Sequence, residues 1–211
     1  QKSCGTSGVN AIGSFQLSQL NSSSVQSKLK AAGINTNSKQ YKAAVKQMMS
    51  AGNGAMYGNI QGIKNLMSHY DKDGDYINPV NGLAGLLVTD ENESSRKRII
   101  SIPDSSKEEM YELTKKEFLR ENGVCNGDTT KRTDVYNNLY RKMSKKDRLA
   151  AGYTLEKYER IYRQAFYDAA KKADPNWEIG KPIKDGALDS VTRELAESGK
   201  SPAQATLDTK I

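Results

Sequence analysis

Thr154-Leu155-Glu156-Lys157-Tyr158-Glu159-Arg160-Ile161-Tyr162-Arg163-Gln164-Ala165-Phe166-Tyr167-Asp168-Ala169 carries the clearest periodicity in the chain. Leu155, Tyr158, Ile161, Tyr162, Ala165, Phe166 and Ala169 recur at helical spacing and form one broad apolar face, with Thr154 placed to start the helix. Aromatics at that spacing read as core rather than as a ligand box. Working outward, Val135, Leu139 and Met143 align over Asp134 to Met143, and Ser144 with Asp147 resembles a capping box with Asp in place of Glu. A further helix starts at Ser105 or Ser106, runs through Met110, Leu113 and Phe118 to about Asn122, and closes at Gly123. Downstream, Leu188, Val191 and Leu195 predict a helix over 186–198. Ser201-Pro202-Ala203-Gln204 has the residues for one more capped turn before a fraying tail.

The front half repeats the pattern more weakly. Ser22 to Ser24 offer caps for a short helix carrying Val25 and Leu29 and stopped at Gly33. Ser38 opens another, with Tyr41, Ala44, Val45, Met48 and Met49 in register and Gly52 at its end. Ile60, Ile63, Met67 and Tyr70 predict a third over 56–70. Residues 1–21 are Ser-, Gly- and Asn-rich, with Ile12, Phe15, Leu17 and Leu20 as apolar anchors, and read as a loosely ordered arm. Leu83 to Val88 is ambiguous between helix and strand, while Arg98-Ile99-Ile100-Ser101-Ile102 is the best strand candidate. The expected fold is therefore mainly α: an irregular multi-helix bundle with at most a short two-stranded β element near 86–102. The helical domain spans 22–198, with room for a subdivision near 89–104, between the arm (1–21) and the tail (199–211).

Composition narrows the function classes. The chain has 211 residues, 36% of them apolar, with 32 Lys plus Arg against 25 Asp plus Glu and a formal net charge of +7. Its mean hydropathy is −0.74. No apolar run approaches the roughly 18–20 residues of a membrane span. The basic excess favours anionic partners (a cell-wall polymer, an acidic lipid surface or nucleic acid) or simply solubility. Arg96-Lys97-Arg98, Arg141-Lys142 and Lys145-Lys146 are the densest runs. None is interleaved with aromatics, so nucleic acid lacks support. Cys4 and Cys125 make no disulfide framework and are expected as free thiols. One histidine and two distant cysteines exclude a zinc site.

Enzyme signatures are missing too. His69 is the sole histidine, with no nucleophile motif around it. Gly52-Asn53-Gly54 and Gly58 lack the Lys-Ser/Thr ending of a phosphate loop. No carboxylate pair is singled out by its neighbours. The reading is non-enzymatic.

Asp71-Lys72-Asp73-Gly74-Asp75 stands out against this background. Alternate residues of a tight turn direct their oxygens at one centre, as a hard cation taking six to eight oxygen ligands requires. Gly74 allows the turn. The run Ile63-Lys64-Asn65-Leu66-Met67-Ser68-His69-Tyr70-Asp71-Lys72-Asp73-Gly74-Asp75-Tyr76-Ile77 resembles the entering helix and front half of an EF-hand. That resemblance implies Ca²⁺ held by Asp71, Asp73 and Asp75, a backbone carbonyl near Ile77, and Asn81 or Asn78. Tyr76 stands where the family has Gly, and no bidentate Glu follows at the twelfth position. The competing reading is a metal-free, Asx-rich turn. Asp174-Pro175-Asn176-Trp177-Glu178 echoes the oxygen spacing, and Asn126-Gly127-Asp128 reads as a plain turn. The chain as a whole resembles an uncharacterised domain family of Firmicutes bacteria with no assigned activity.

These residues point to a calcium-stabilised binding or structural module, with an unknown protein or anionic polymer as partner. The alternative is a metal-free basic helical adaptor for an anionic polymer. A loop without the bidentate Glu suits high external calcium, so a secreted or cell-surface setting is favoured over the cytoplasm.

Overall fold

Local capping sets the front helices. The Ser22 hydroxyl accepts the Val25 N–H at 3.3 Å and the Ser38 hydroxyl accepts that of Tyr41 at 3.1 Å. These caps open α1 (Ser23–Ala31) and α2 (Lys39–Ala51). The computed structural model describes residues 14–52, 57–125 and 130–199. Ile12, Cys4, the Asn126–Asp128 turn and the Ser201–Gln204 cap lie outside them. The chain divides into unit 1, Gln1–Leu87, and unit 2, Val88–Ile211. The boundary falls just ahead of the 89–104 stretch.

In unit 1, β1 (Ser14–Gln16) pairs antiparallel with β2 (Tyr57–Asn59), placing Phe15 opposite Gly58. A Cβ on Gly58 would stand 3.1 Å from Leu17 and 3.3 Å from the Phe15 ring, so glycine lets the strands close over these side chains. The Asn59 side chain then accepts the Gly62 N–H at 2.6 Å and caps α3 (Ile60–Met67). Phe15, Leu17 and Leu20 are buried with Val25, Leu29, Ile34, Tyr41 and Ile63 in one small core. The stretch read as an arm thus supplies three core residues from Phe15 onward.

Unit 2 is built on α7 (Arg148–Ala173), which contains the whole 154–169 face and starts earlier than Thr154. With α4 (Glu93–Arg96), α5 (Asp104–Arg120), α6 (Thr130–Arg141) and α8 (Arg193–Gly199), it makes up the α-helices of this unit among the described residues, and a 3-10 turn at Lys145–Asp147 leads into it. Tyr162, Phe118 and Phe166 are fully buried, and Tyr111 packs against both Tyr162 and Phe166 with ring centroids 5.4 Å apart. Arg132 bridges Glu117 at 2.8 Å and Glu159 at 3.1 Å, tying α6 to α5 and α7.

The fold is mainly α, with one short two-stranded antiparallel sheet among the described residues. That sheet is not near 86–102. The Arg98–Ile102 stretch forms no strand and is held along α7: the Thr154 hydroxyl accepts the Ile100 N–H at 3.0 Å and lies 3.2 Å from Arg98 O. Its apolar residues meet a helix instead of a strand edge, and Ile102 is buried. The helix expected over 186–198 begins only at Arg193. Gly186 takes φ +77° and Leu188 is buried from a run of turns, which breaks the helical path before Thr192.

Candidate metal centre

The acidic loop grows from α3 and is held by α2. Beyond Met67 the chain turns, and Gln40 on α2 donates to Tyr70 O at 2.7 Å and Met67 O at 3.3 Å. The Tyr70 hydroxyl donates to Gln47 Oε1, one α2 turn pair further along, at 2.6 Å. Burial, and then neighbouring Tyr76, raises the Tyr70 phenol above its ordinary pKa, which keeps it a donor. These fastenings come from two glutamines that the sequence pattern did not mark, because an amide on a helix surface has no distinguishing spacing.

From Tyr70 the backbone makes a closed loop. Tyr70 and Tyr76 form an antiparallel bridge, with their rings edge-to-face at 5.9 Å. Asp71 N–H donates to Asp75 O at 2.9 Å, and Ile77 N–H to His69 O at 2.8 Å. Inside the loop, Asp71 Oδ1 accepts the N–H groups of Asp73 at 3.0 Å and Asp75 at 2.9 Å. Gly74 sits at φ +81°, and a Cβ there would be 3.0 Å from the Lys39 carbonyl oxygen at the start of α2. Glycine is thus required twice over, by conformation and by space.

Carboxylate oxygens of Asp71, Asp73 and Asp75 lie within 4.8 Å of one another, with Asp71 half-buried and the other two exposed. Two oxygens each about 2.4 Å from one calcium ion can be at most about 4.8 Å apart, so the spacing fits one cation. The donor set is oxygen only, as a hard cation prefers. Three like charges this close oppose one another unless a cation or solvent compensates.

Ile77 and Asn81, the remaining candidate ligands, lie on the exit. Ile77 bridges to buried Ala84, turning the chain back on itself. Asn78 Oδ1 accepts the Val80 N–H at 2.9 Å, and Asn81 Oδ1 accepts that of Leu83 at 2.9 Å. Both asparagine oxygens therefore face backbone donors of their own turn, and the carboxylate group itself consists of the three aspartates. The echo at Asp174 is an Asx turn of the same kind, with Asp174 Oδ1 accepting the Asn176 N–H at 3.0 Å. It serves to bury Trp177, which packs on Phe118 and Tyr167 and donates to Lys181 O at 2.8 Å. Asp174, Glu178 and Asp185 form no carboxylate cluster among the described residues. Cys125 is an exposed free thiol.

No helix among the described residues is long and apolar enough to cross a membrane. No curated protein and no solved structure matches the chain. A family described as a domain of unknown function, DUF3879, matches residues 34–211, a span that takes in α2, the acidic loop and the whole of unit 2 but not β1 or α1. Over most of its length, then, the chain belongs to the DUF3879 family of domains of unknown function.

Proposed function

We propose that the loop from Tyr70 to Ala84 binds Ca²⁺ and that the protein is a non-enzymatic, calcium-stabilised binding or structural module. The observation that carries this reading is the convergence of three carboxylates within 4.8 Å in a turn fastened to α2. Asp71, Asp73 and Asp75 supply charge, and the Ile77 carbonyl and Asn81 are the neutral candidates from the exit. Without a bidentate Glu the site belongs with weak, extracellular-type calcium loops, with dissociation constants on the order of 10⁻⁴ to 10⁻³ M. The proposal accordingly places the protein outside the cell or at its surface.

The test is a thermal melt in Ca²⁺, Mg²⁺ or EDTA, followed by calorimetry because the sole tryptophan lies in unit 2. At a hundredfold excess over the dissociation constant, Ca²⁺ is expected to add about 2.7 kcal/mol. Asp71→Ala/Asp73→Ala should abolish this, but it also removes the Asp71 caps on the loop backbone. Asp73→Asn/Asp75→Asn separates the two effects: it keeps those caps, lifts the repulsion in EDTA, and should lose the calcium response. Identical wild-type melts at about 100 mM Ca²⁺, a hundredfold excess over the weakest constant expected, would leave a metal-free Asx turn as the correct reading.

A further inference from the structure

The outward face of α5 carries Glu112, Lys115, Lys116 and Leu119 at helical spacing, opposite the buried residues Met110, Thr114, Glu117 and Phe118. Together with Leu113 and with Lys131 of α6, this face lines a groove of about 490 Å³. Leu119 remains 45% exposed there, while Leu113 packs against the core and forms the floor.

Several cations elsewhere in unit 2 are held in ion pairs. Lys107 meets Asp104, Arg132 meets Glu117 and Glu159, and Arg193 meets Glu108 and Glu197. Lys115, Lys116 and Lys131 make no ion pair with any described residue. Among the described lining residues, three ammonium groups and one carboxylate, Glu112, stand around the apolar side chains of Leu113 and Leu119. We propose that this groove docks an acidic, leucine-bearing peptide segment of a partner protein. An apolar side chain sits between Leu113 and Leu119, and flanking carboxylates meet the three lysines.

Other anionic partners fit less well. Among the described residues, no aromatic side chain or arginine lines the groove, so a nucleic acid finds nothing there to stack on. A bilayer surface calls for a broader apolar face than the two leucines among the described lining residues offer. The proposal deepens the binding-module reading and rests on it, but not on calcium, since every lining residue belongs to unit 2.

The experiment is fluorescence anisotropy of the full chain with a labelled synthetic peptide bearing glutamates and leucines on one helical face, run in EDTA. A failure of the calcium reading appears only in the melts, and a failure of the groove only in this titration. Saturable binding is expected, weakened about tenfold by Leu119→Ser and at least as much by Lys116→Glu/Lys131→Glu. All three positions are exposed, and an unchanged Trp177 fluorescence melt verifies that the variants fold. Absence of binding would overturn the proposal. So would equal binding of polyglutamate, or displacement of the peptide by an oligonucleotide or by phosphatidylglycerol vesicles with the same dependence on Leu119.

Discussion

Units 1 and 2 solve the same problem, burying a core in a chain only 36% apolar, by different means. Unit 2 stacks aromatics: Tyr111, Tyr162, Phe118, Phe166 and Trp177 touch in a continuous series, and α7 presents one face to them. Unit 1 has a smaller, largely aliphatic core and spends much of its length in a polar loop held by side-chain and backbone hydrogen bonds. Packing is short-ranged and dense, so the first arrangement resists local opening. A hydrogen-bonded loop close to water opens at lower free energy and can answer to a ligand. That contrast puts the loop for which calcium binding is proposed in the unit with the smaller core and leaves the denser aromatic packing to unit 2.

The largest test of the contrast is Phe166→Ala, which should destabilise unit 2 by about 3 to 5 kcal/mol, since the cavity falls among rings that cannot collapse into it. Trp177 fluorescence during urea unfolding reads this directly. If hydrogen exchange in residues 69–84 accelerates in step, the two units unfold as one cooperative body and the contrast fails.

Arg132→Met probes the polar part of the same unit. It leaves Glu117 without its cation while Glu159 keeps Arg163 at 3.4 Å, at a cost of about 3 kcal/mol, the low end for a buried pair because the Arg132 side chain is still 25% exposed. A cost under about 0.5 kcal/mol would show that the network behaves as a surface pair.

In unit 1, Gly74→Ala should cost more than the roughly 1 to 2 kcal/mol of the left-handed conformation alone and speed amide exchange across the loop. Gly33→Ala is the control: it has the same positive φ, but nothing lies within 4 Å of the new Cβ. Equal effects at the two sites would mean that the contact with Lys39 does not fasten the loop.

The smallest effect at ordinary pH is alkaline. Burial first, then Glu159 and Glu156, raises the Tyr136 phenol, while burial and the hydrogen bond to Glu197 raise that of Tyr162. A raised folded pKa favours the neutral phenol. Its contribution is fully present below the unfolded value of about 10 and is lost as pH rises above it. Urea midpoints by Trp177 fluorescence should therefore hold up to about pH 10 and fall beyond. A midpoint that is flat across that boundary would contradict the burial of Tyr162 and the half-buried setting of Tyr136.

How much of this was legible beforehand depends on the range of the interaction involved. The 154–169 face, the Ser22 and Ser38 caps and the tight turn at Gly74 are encoded within a few residues, and they stand in the structure as the spacing required. The acidic triplet was legible for the same reason: alternate residues of a turn converge whatever lies elsewhere in the chain. The β pairing was not. Ser14–Gln16 carries no alternation long enough to announce a strand, and it becomes one because Tyr57–Asn59 comes alongside with a glycine opposite Phe15. Arg98–Ile102 looks more like a strand by composition, yet its backbone partner is a threonine hydroxyl on α7.

The sequence alone determined the helical class, the strongest helix and the position of the oxygen-rich turn, all properties of neighbouring residues. Only the tertiary structure decided which segments the front core would recruit and that Gln40 and Gln47 would hold the loop. It alone brought Lys131 beside Lys115 and Lys116. These choices join residues far apart in the chain, and their energy comes from burial and complementary geometry that no local pattern encodes.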